Sequence, residues 1–294
     1  MAVIDLAAAT DFLATHGRLL DRRRLTLLLH GETAGVAEAL AAYRNPDGGY
    51  GWGMEPDLRS ATSQPGRALH AFEVFAELAA AGEPVSDAVA LSDWLSSVSG
   101  PEGGLPFALP LTDAAGCAPF WADPVPGPSL QITAITAANA HQVARHDPAV
   151  AAHPWLAAAT RFCLAAAAEV GPDTHAIELA FTLRFLDAVH ETDASAPELM
   201  GALAHLVPAD GILPVVGGVE GESLRTLDIA PVPGRPVRDL FTADAVAADL
   251  DRLAGLQQPD GGWPVEWRTY SPAAELEWRG YLTVAALRVL RANA

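Results

Sequence analysis

A glycine turn at residues 257–267, Q-Q-P-D-G-G-W-P-V-E-W, separates a glutamine from two tryptophans. Asp260, Gly261 and Gly262 predict the turn itself, because glycine adopts positive φ at no steric cost. Gln257 closes the preceding helix, where its amide can hydrogen-bond backbone groups at the end of a neighbouring helix. We therefore predict that this segment joins helices to one another.

Shorter versions of this turn occur at three other places. Residues 44–52 read R-N-P-D-G-G-Y-G-W, residues 101–107 read P-E-G-G-L-P-F, and residues 208–214 read P-A-D-G-I-L-P. The acidic residues of the four copies are roughly 50 residues apart, with one interval about twice as long. A unit near residues 150–172 that lost its acidic marker accounts for the long interval, and the turn at 171–173 is its expected remnant. Such a period predicts stacked supersecondary units.

Hydrophobic residues recur at helical spacing along the chain of 294 residues, of which 50% are hydrophobic and 18% charged. No alternating strand pattern accompanies them, so we predict about ten to twelve helices and an all-α fold. A closed repeat architecture can use this length as one domain. We expect a single domain over residues 1–294, in which helices at 4–43 precede a repeat frame at 43–292.

Charge and composition exclude several classes of function. The net charge of −18 repels nucleic acid and anionic membrane surfaces. No apolar run reaches the ~20 residues that span a bilayer, and the N-terminus lacks the basic and apolar regions of a secretory signal. Two cysteines, Cys117 and Cys163, fit unpaired thiols in a reducing compartment. We expect a cytoplasmic protein that binds neither nucleic acid nor membrane.

Two long proline-rich loops, at residues 100–128 and 208–241, interrupt the helical pattern. Loops of this length in a compact domain are usually functional or disordered. Both carry aromatic or other hydrophobic residues, which favours ordered segments. Two interpretations stay open: lids over a binding site, or structural belts over an open helix end.

The 257–267 segment resembles the QW motif of squalene–hopene cyclases and other class II terpene cyclases. The matching residues are Gln257, Asp260, Gly261, Gly262, Trp263 and Trp267. The paired-helix period is similar to that of the wider prenyltransferase and squalene-cyclase repeat group. The resemblance covers the repeat frame and implies an α/α toroid of five or six helix pairs around a central cavity. In that group the motif is structural, so the resemblance gives these residues no catalytic role.

The catalytic motifs of that group are absent from the sequence. There is no D-x-D-D acid and no D-D-x-x-D magnesium motif, and the nearest acidic strings are residues 249–251 and 55–57. The zinc ligands of protein prenyltransferases cannot be mapped either. We therefore expect no metal and no cofactor, and any chemistry falls to other carboxylates.

The richest candidate site is the loop G-W-G-M-E-P-D-L-R at residues 51–59. Glu55 and Asp57 can form an acid/base pair if burial raises the pKa of one of them. Trp52 and Arg59 beside them suit a ring-bearing or anionic substrate. The alternative is structural: Asp57 pairs with Arg59, and Glu55 caps a helix.

Two further candidates follow the same reasoning. Trp121 in the first long loop and His141 on the next helix can line a pocket, although a histidine on an alanine-rich helix is also typical of a core. Asp228 lies in an apolar stretch where burial raises a carboxyl pKa, although it also suits a turn or cap. His70 with Glu73, and His175 with Glu178, share i,i+3 spacing but lack an evident third metal ligand.

The leading expectation is a terpene-cyclase-like enzyme or isoprenoid-binding protein that uses carboxylate acid/base chemistry in a central apolar cavity. The expected catalytic residues are Glu55, Asp57 and Asp228, and the expected substrate-binding residues are Trp52, Arg59, Trp121 and His141. One alternative is a carbohydrate-active toroid, either a lyase or a hydrolase, since carboxylates and tryptophans suit sugars. The other is a non-catalytic binding or scaffold protein. An apolar cavity with one high-pKa acid favours the first.

Overall fold

The computed structural model describes residues 4–294, in which fourteen α-helices and one two-stranded antiparallel ribbon form. Helix accounts for 56% of the chain and strand for 3%, so the all-α prediction is confirmed. None of the helices described is both long and apolar enough to span a bilayer. The first three residues, on which the expectation of no secretory signal partly depends, lie outside the described residues.

The helices follow one another from α1 to α14 in chain order. They are α1 (Leu6–His16), α2 (Leu19–His30), α3 (Val36–Ala41), α4 (Pro65–Ala80), α5 (Asp87–Val98), α6 (Pro119–Ala122), α7 (Leu130–Ala144), α8 (Pro148–Ala151), α9 (Pro154–Ala167), α10 (Ala176–Val189), α11 (Ala196–Leu203), α12 (Thr226–Ile229), α13 (Ala243–Gly255) and α14 (Pro272–Ala292). The ribbon consists of β1 (Leu213–Pro214) and β2 (Ser223–Leu224), and two 3₁₀ helices span Ala204–Leu206 and Pro236–Leu240.

The chain divides into two compact units. A terminal unit combines the residues up to Ala39 with Ala204–Ala294, and a central unit spans Leu40–Leu203. Each unit has its own buried hydrophobic residues. The single domain over 1–294 and the toroid stay predictions.

Helix α7 is the centre of the central unit, where it packs against α4, α9 and α10. Its alanines let neighbouring helices approach closely, and most of its residues are buried. Ser129 is the N-cap of the helix, and its hydroxyl accepts a hydrogen bond from the Ile132 N–H. The Asn139 side chain donates to the Leu69 carbonyl of α4 at 3.1 Å, so the α4–α7 contact also has a buried polar tie.

Helix α14 has the same role in the terminal unit, where it packs against α1, α2 and α13. Side chains cap two of these helices: Ser271 accepts from the Ala274 N–H at the start of α14, and Thr242 accepts from the Ala245 N–H at the start of α13. A core cluster forms where these helices meet, with Phe12, Leu13, Trp263, Val284 and Leu287 among its buried members.

Both long loops contain short elements. The first contains α6, where Trp121 is buried and stacks on Phe107 at 4.7 Å between ring centroids. The second contains the β1–β2 ribbon, α12 and a 3₁₀ helix. Two-residue strands and single-turn helices are too short to produce a periodic pattern, which is why the sequence shows only proline-rich loops here.

Candidate functional site

The turn that follows α13 joins three helices of the terminal unit. The Gln257 amide oxygen accepts from the Asp5 backbone N–H at 2.9 Å, and its nitrogen donates to the Asp5 carbonyl at 2.8 Å. Asp5 is the N-cap of α1, so the predicted bond to a neighbouring helix end is confirmed. The Trp263 indole donates to the Leu253 carbonyl of α13, and its backbone N–H donates to the Thr283 hydroxyl of α14.

Close packing around this turn requires glycine. Gly261 has φ of 92°, and a Cβ there would lie 2.1 Å from the Ala8 carbonyl oxygen. Asp260 accepts from the Gly262 N–H at 3.1 Å and forms an ion pair with Arg279 at 2.7 Å. The hydrogen bond from Arg279 lowers the pKa of the Asp260 carboxyl. These contacts connect helices, and they use the polar atoms of the turn for structure.

The same pair of turn hydrogen bonds occurs in three of the four copies. One bond closes the turn from Asn45 N–H to the Gly49 carbonyl, from Gly100 to Gly104, and from Gln258 to Gly262, each at 2.9 Å. The second returns over three residues, from Gly48 to Asn45, from Gly103 to Gly100 and from Gly261 to Gln258. In the fourth copy, Gly211 donates to Pro208 at 2.9 Å. Similar sequence therefore gives a similar local turn in three copies, and the fourth shares only the bond over three residues.

Glu55 belongs to a buried cluster of ionisable side chains in the central unit. One of its carboxylate oxygens lies 2.9 Å from His70 Nε2, and His70 Nδ1 lies 3.3 Å from a Glu73 oxygen. The other Glu55 oxygen accepts from the Asp57 backbone N–H at 3.3 Å. Glu55 and His70 are buried, as is Asp57. The cluster thus ties the 51–59 loop to α4.

The proton of this cluster resides on His70. Burial alone would lower the pKa of the imidazole, but hydrogen bonds and charge from Glu55 and Glu73 outweigh burial and raise the pKa to about 9. His70 is therefore an imidazolium at neutral pH, and it donates to both carboxylates. This arrangement places a cationic donor 2.9 Å from the Glu55 carboxylate.

Arg67 of α4 binds the backbone at the end of the loop that carries Glu55 and Asp57. Its guanidinium is fully buried and donates to the carbonyls of Leu58, Ser60 and Thr62. Desolvation lowers the pKa of the guanidinium to about 10, and the Glu55 charge partly offsets that effect. Arg67 therefore ties the loop that carries Glu55 and Asp57 to α4 by three hydrogen bonds.

Trp52 and Arg59 differ from these acids in exposure. Trp52 is 52% exposed and has φ of 62°, the one non-glycine positive φ among residues 4–294. Such a conformation costs about 1–3 kcal/mol and is often found at functional sites. A Cβ on Gly53 would lie 3.4 Å from Arg59, so the guanidinium lies next to the loop backbone. Trp52 presents an aromatic surface, while Glu55 and Asp57 lie below the surface.

Trp121 and His141 take separate places in the central unit. Trp121 packs against Phe107 and Phe120 in the first long loop. His141 Nε2 lies 2.8 Å from the Thr160 hydroxyl of α9, and its ring contacts Phe185 of α10. Burial lowers the pKa of His141 to about 4, with a smaller contribution from the Arg145 charge. His141 is therefore neutral at pH 7, which does not suit proton transfer near neutrality.

Asp228 lies in the terminal unit, on the single turn of α12. Its carboxylate accepts from the Arg225 N–H at 2.7 Å, which is the capping geometry that the sequence allows. Desolvation raises the pKa of this carboxyl to about 6, and the Arg225 hydrogen bond offsets part of the rise. The residue is nevertheless exposed to solvent, so a ligand can reach it. Asp228 is thus both a helix cap and an accessible, weakly acidic carboxyl.

Asp228 borders a recess of about 150 Å³, here called the Asp228 recess. Hydrocarbon and aromatic side chains form most of its lining: Val215, Leu224, Leu227, Leu253, Leu256, Trp263, Trp267, Leu282, Ala285, Ala286 and Val289. Its other charged lining residues are Glu222, Arg252 and Glu266. The walls come mainly from α13, α14 and the segment between them.

Arg252, the arginine that lines the Asp228 recess, forms ion pairs with two other acids. Arg252 lies 2.7 Å from an Asp249 oxygen and 2.8 Å from a Glu266 oxygen. The second Asp249 oxygen accepts from the Leu227 N–H at 2.8 Å. Within the part of the chain that the structure describes, Asp228 has only the Arg225 backbone as a hydrogen-bond donor. Its carboxyl can therefore take up or release a proton without breaking an ion pair.

The sequence named Asp228 but missed the walls around it. Leu282, Ala285, Ala286 and Val289 line the recess at positions i, i+3, i+4 and i+7 of α14. That spacing indicates one helix face, but it does not tell which face meets Asp228. The spacing in the sequence paired His70 with Glu73, but it did not show that Glu55 also contacts His70. That contact forms because the 51–59 loop brings Glu55 to α4.

Across residues 4–294, no group of three or more histidine, cysteine, aspartate or glutamate side chains is placed to hold a metal ion. Comparison with protein families and with curated proteins finds no match to this chain. The geometry of the individual sites therefore carries the functional inference.

Proposed function

We propose that this protein is an acid/base enzyme that acts on a small, largely apolar molecule, with Asp228 as the proton donor. The observation that supports this is an accessible carboxyl with a pKa of about 6 at the edge of a hydrocarbon-lined recess. A general acid works best when its pKa lies near the working pH. With a pKa of about 6, a minor fraction of the Asp228 carboxyl is protonated at pH 7.

The proposed reaction is isomerisation or cyclisation of an alkene. Asp228 adds its proton to one carbon of a double bond and leaves a carbocation on the neighbouring carbon. The resulting Asp228 carboxylate takes a proton from an adjacent carbon, so the product is an isomer and no redox partner is required. Trp263 and Trp267 line the recess, and their ring faces can stabilise a cation by cation–π attraction.

The size and charge of the Asp228 recess limit the substrate. A cavity of about 150 Å³ accepts a benzene-sized group, so one isoprene-like end of a molecule fits inside. Glu222, Asp228 and Glu266 outnumber Arg252 among the charged lining residues. This acidic lining repels a diphosphate, and we therefore favour a neutral isoprenoid or a similar hydrocarbon.

The wider α/α toroid of about five or six helix pairs, with a central apolar cavity, is part of the same proposal. The pair of turn hydrogen bonds that recurs in three of the four copies supports it. We also propose a cytoplasmic location, which the two unpaired cysteines, Cys117 and Cys163, support.

A carbohydrate-active enzyme is the second candidate. The exposed Trp52 ring on the same loop as Glu55 and Asp57 favours it, because sugars stack on tryptophan and glycosidases use paired carboxylates. Two features disfavour it: both acids are buried, and Glu55 forms an ion pair with His70. A non-catalytic binding role is the remaining alternative.

Ligand binding separates these candidates. We expect short neutral isoprenoids to raise the unfolding temperature, whereas isoprenoid diphosphates and oligosaccharides have little effect. Ala285→Leu fills the Asp228 recess and should abolish the shift, while Ala273→Leu on the exposed start of α14 should retain it. Stabilisation by oligosaccharides alone would favour the carbohydrate enzyme, and an equal shift in both variants would contradict binding in the recess.

A further inference from the structure

A buried aspartate, Asp249 of α13, binds two of the residues that line the Asp228 recess. The residue is 6% exposed and is not itself among the lining residues described. One of its carboxylate oxygens accepts from the Leu227 N–H at 2.8 Å, and the other accepts from Arg252 Nε at 2.7 Å. Leu227 and Arg252 both line the recess, so one carboxylate connects α12 to the arginine of α13.

The Arg252 guanidinium is held at two of its nitrogen atoms. Asp249 binds Nε, and Glu266, in the segment between α13 and α14, binds Nη1 at 2.8 Å. A buried carboxylate is costly unless an opposite charge and hydrogen bonds compensate for lost water. Asp249 has both, from Arg252 and from the Leu227 N–H. The buried half of this arrangement therefore fixes where the arginine lies.

The position of Arg252 decides which charge meets Asp228. Within residues 4–294 the two side chains form no ion pair, although both line the recess. An opposite charge within ~4–6 Å would lower the pKa of the Asp228 carboxyl by about 1–3 and keep the proton off it. In the structure, desolvation raises that pKa to about 6 against the Arg225 hydrogen bond. Among the nearby charges, Asp249 and Glu266 raise it further, and Arg252 lowers it.

Other charged groups near Asp228 do not replace Arg252 as a partner for it. Among the lining residues described, Arg252 is the one basic side chain, and Glu222 is acidic. Arg238, in the 3₁₀ helix before α13, is not a lining residue, and its Nη2 donates to Asn293 at 3.0 Å. The charge state of Asp228 therefore depends on where Arg252 is held.

We infer that Asp249 is a positioning residue for Asp228, because it holds Arg252 away from the proton donor. The same carboxylate binds the backbone of Leu227, the residue directly before Asp228. One buried group thus sets both the place of the acid and the charge beside it. This inference rests on the proposed role of Asp228 as a proton donor. Its test reads the protonation of Asp228 without substrate, so its outcome is separate from that of the proposed reaction.

NMR titration of the Asp228 carboxyl carbon measures the effect. Asp249→Asn keeps one oxygen for the Leu227 N–H, but its amide nitrogen cannot accept from Arg252. The released arginine should approach Asp228, and the titration midpoint should fall by about one pH unit or more. Asp244→Asn removes the same charge from the exposed first turn of α13 and should leave the midpoint unchanged.

Arg252→Gln separates release of the arginine from simple loss of the Asp249 charge. In that background Asp249→Asn has no arginine to release, so the midpoint should fall by no more than about half as much. Glu266→Gln repeats the comparison at a side chain that is 53% exposed, and it decides the question if Asp249→Asn does not fold. It should lower the midpoint, and lower it less when combined with Arg252→Gln.

Three results would overturn the inference. They are an unchanged midpoint in a folded Asp249→Asn variant, the same fall in Asp244→Asn, and an equal fall with and without Arg252. Thermal unfolding of each variant establishes that it folds.

Discussion

His70 shows how one buried side chain links a loop to a helix. Its imidazolium lies between Glu55 of the 51–59 loop and Glu73 of α4. A neutral ring can donate to only one of the two carboxylates, so deprotonation leaves the other without its donor. The charge state of His70 therefore contributes directly to the stability of this part of the central unit.

We predict that stability falls as pH rises from about 6.5 to about 9. The pKa of His70 is about 9 in the folded protein and ordinary, near 6.5, in the unfolded chain. The contribution of His70 to the free energy of unfolding is therefore fully present below pH 6.5, the pKa in the unfolded chain. It is lost as the pH rises through about 9, the pKa in the folded protein. Its upper limit is about 3 kcal/mol. Urea unfolding across this range measures it.

His70→Gln is the control for this prediction. The glutamine keeps a polar side chain but does not titrate, so the variant should be less stable at pH 6.5 and should lose much of the slope. A slope that is the same in wild type and variant would assign the pH dependence to other groups.

The sequence predicted part of the residue-scale site. Glu55 and Asp57 are neighbours in the chain, and the structure buries both of them on one loop. His70 joins them only because the loop folds back onto α4, a contact that no local pattern encodes. Asp228 was predictable because Leu227 and Ile229 flank it, but the recess walls come from later helices.

At the scale of elements, the turn after α13 determines how α1, α13 and α14 meet. We predict that Gly261→Ala destabilises the protein by about 2–4 kcal/mol, because alanine strains the positive φ and its Cβ meets the Ala8 carbonyl. Gly255→Ala is the matched control. Gly255 is the last residue of α13 and has open space around it, so alanine there should be neutral or stabilising by about 0.5–1 kcal/mol.

Denaturant unfolding of both variants makes the comparison. A similar change in the free energy of unfolding for both would mean that the turn has no special role in joining these helices.

Helix ends were the most predictable elements. Ser129, Thr242 and Ser271 begin helices as their residue types and positions indicate. Capping depends on neighbours in the chain, so sequence suffices. The β1–β2 ribbon and α12 were not predictable, because their form depends on packing and they are too short for periodicity.

At the scale of the molecule, the helical class follows from hydrophobic spacing repeated along the chain. Hydrophobic spacing does not predict which helices pack together, because α7 and α14 each contact helices that are distant in the sequence. The net charge of −18 adds one constraint on function. Together with the acidic lining of the Asp228 recess, it favours neutral or cationic ligands over phosphorylated ones.

The central claim is that Asp228 exchanges a proton with carbon in a bound alkene, and solvent deuterium incorporation tests it most directly. Wild type in D₂O with a short neutral isoprenoid should yield deuterated isomer, detected by mass spectrometry. Asp228→Asn keeps the capping oxygen but carries no acidic proton, so incorporation should fall by about 10²–10⁴-fold. Asp244→Asn, on the exposed first turn of α13, should match wild type. Equal incorporation by Asp228→Asn and wild type would contradict the account.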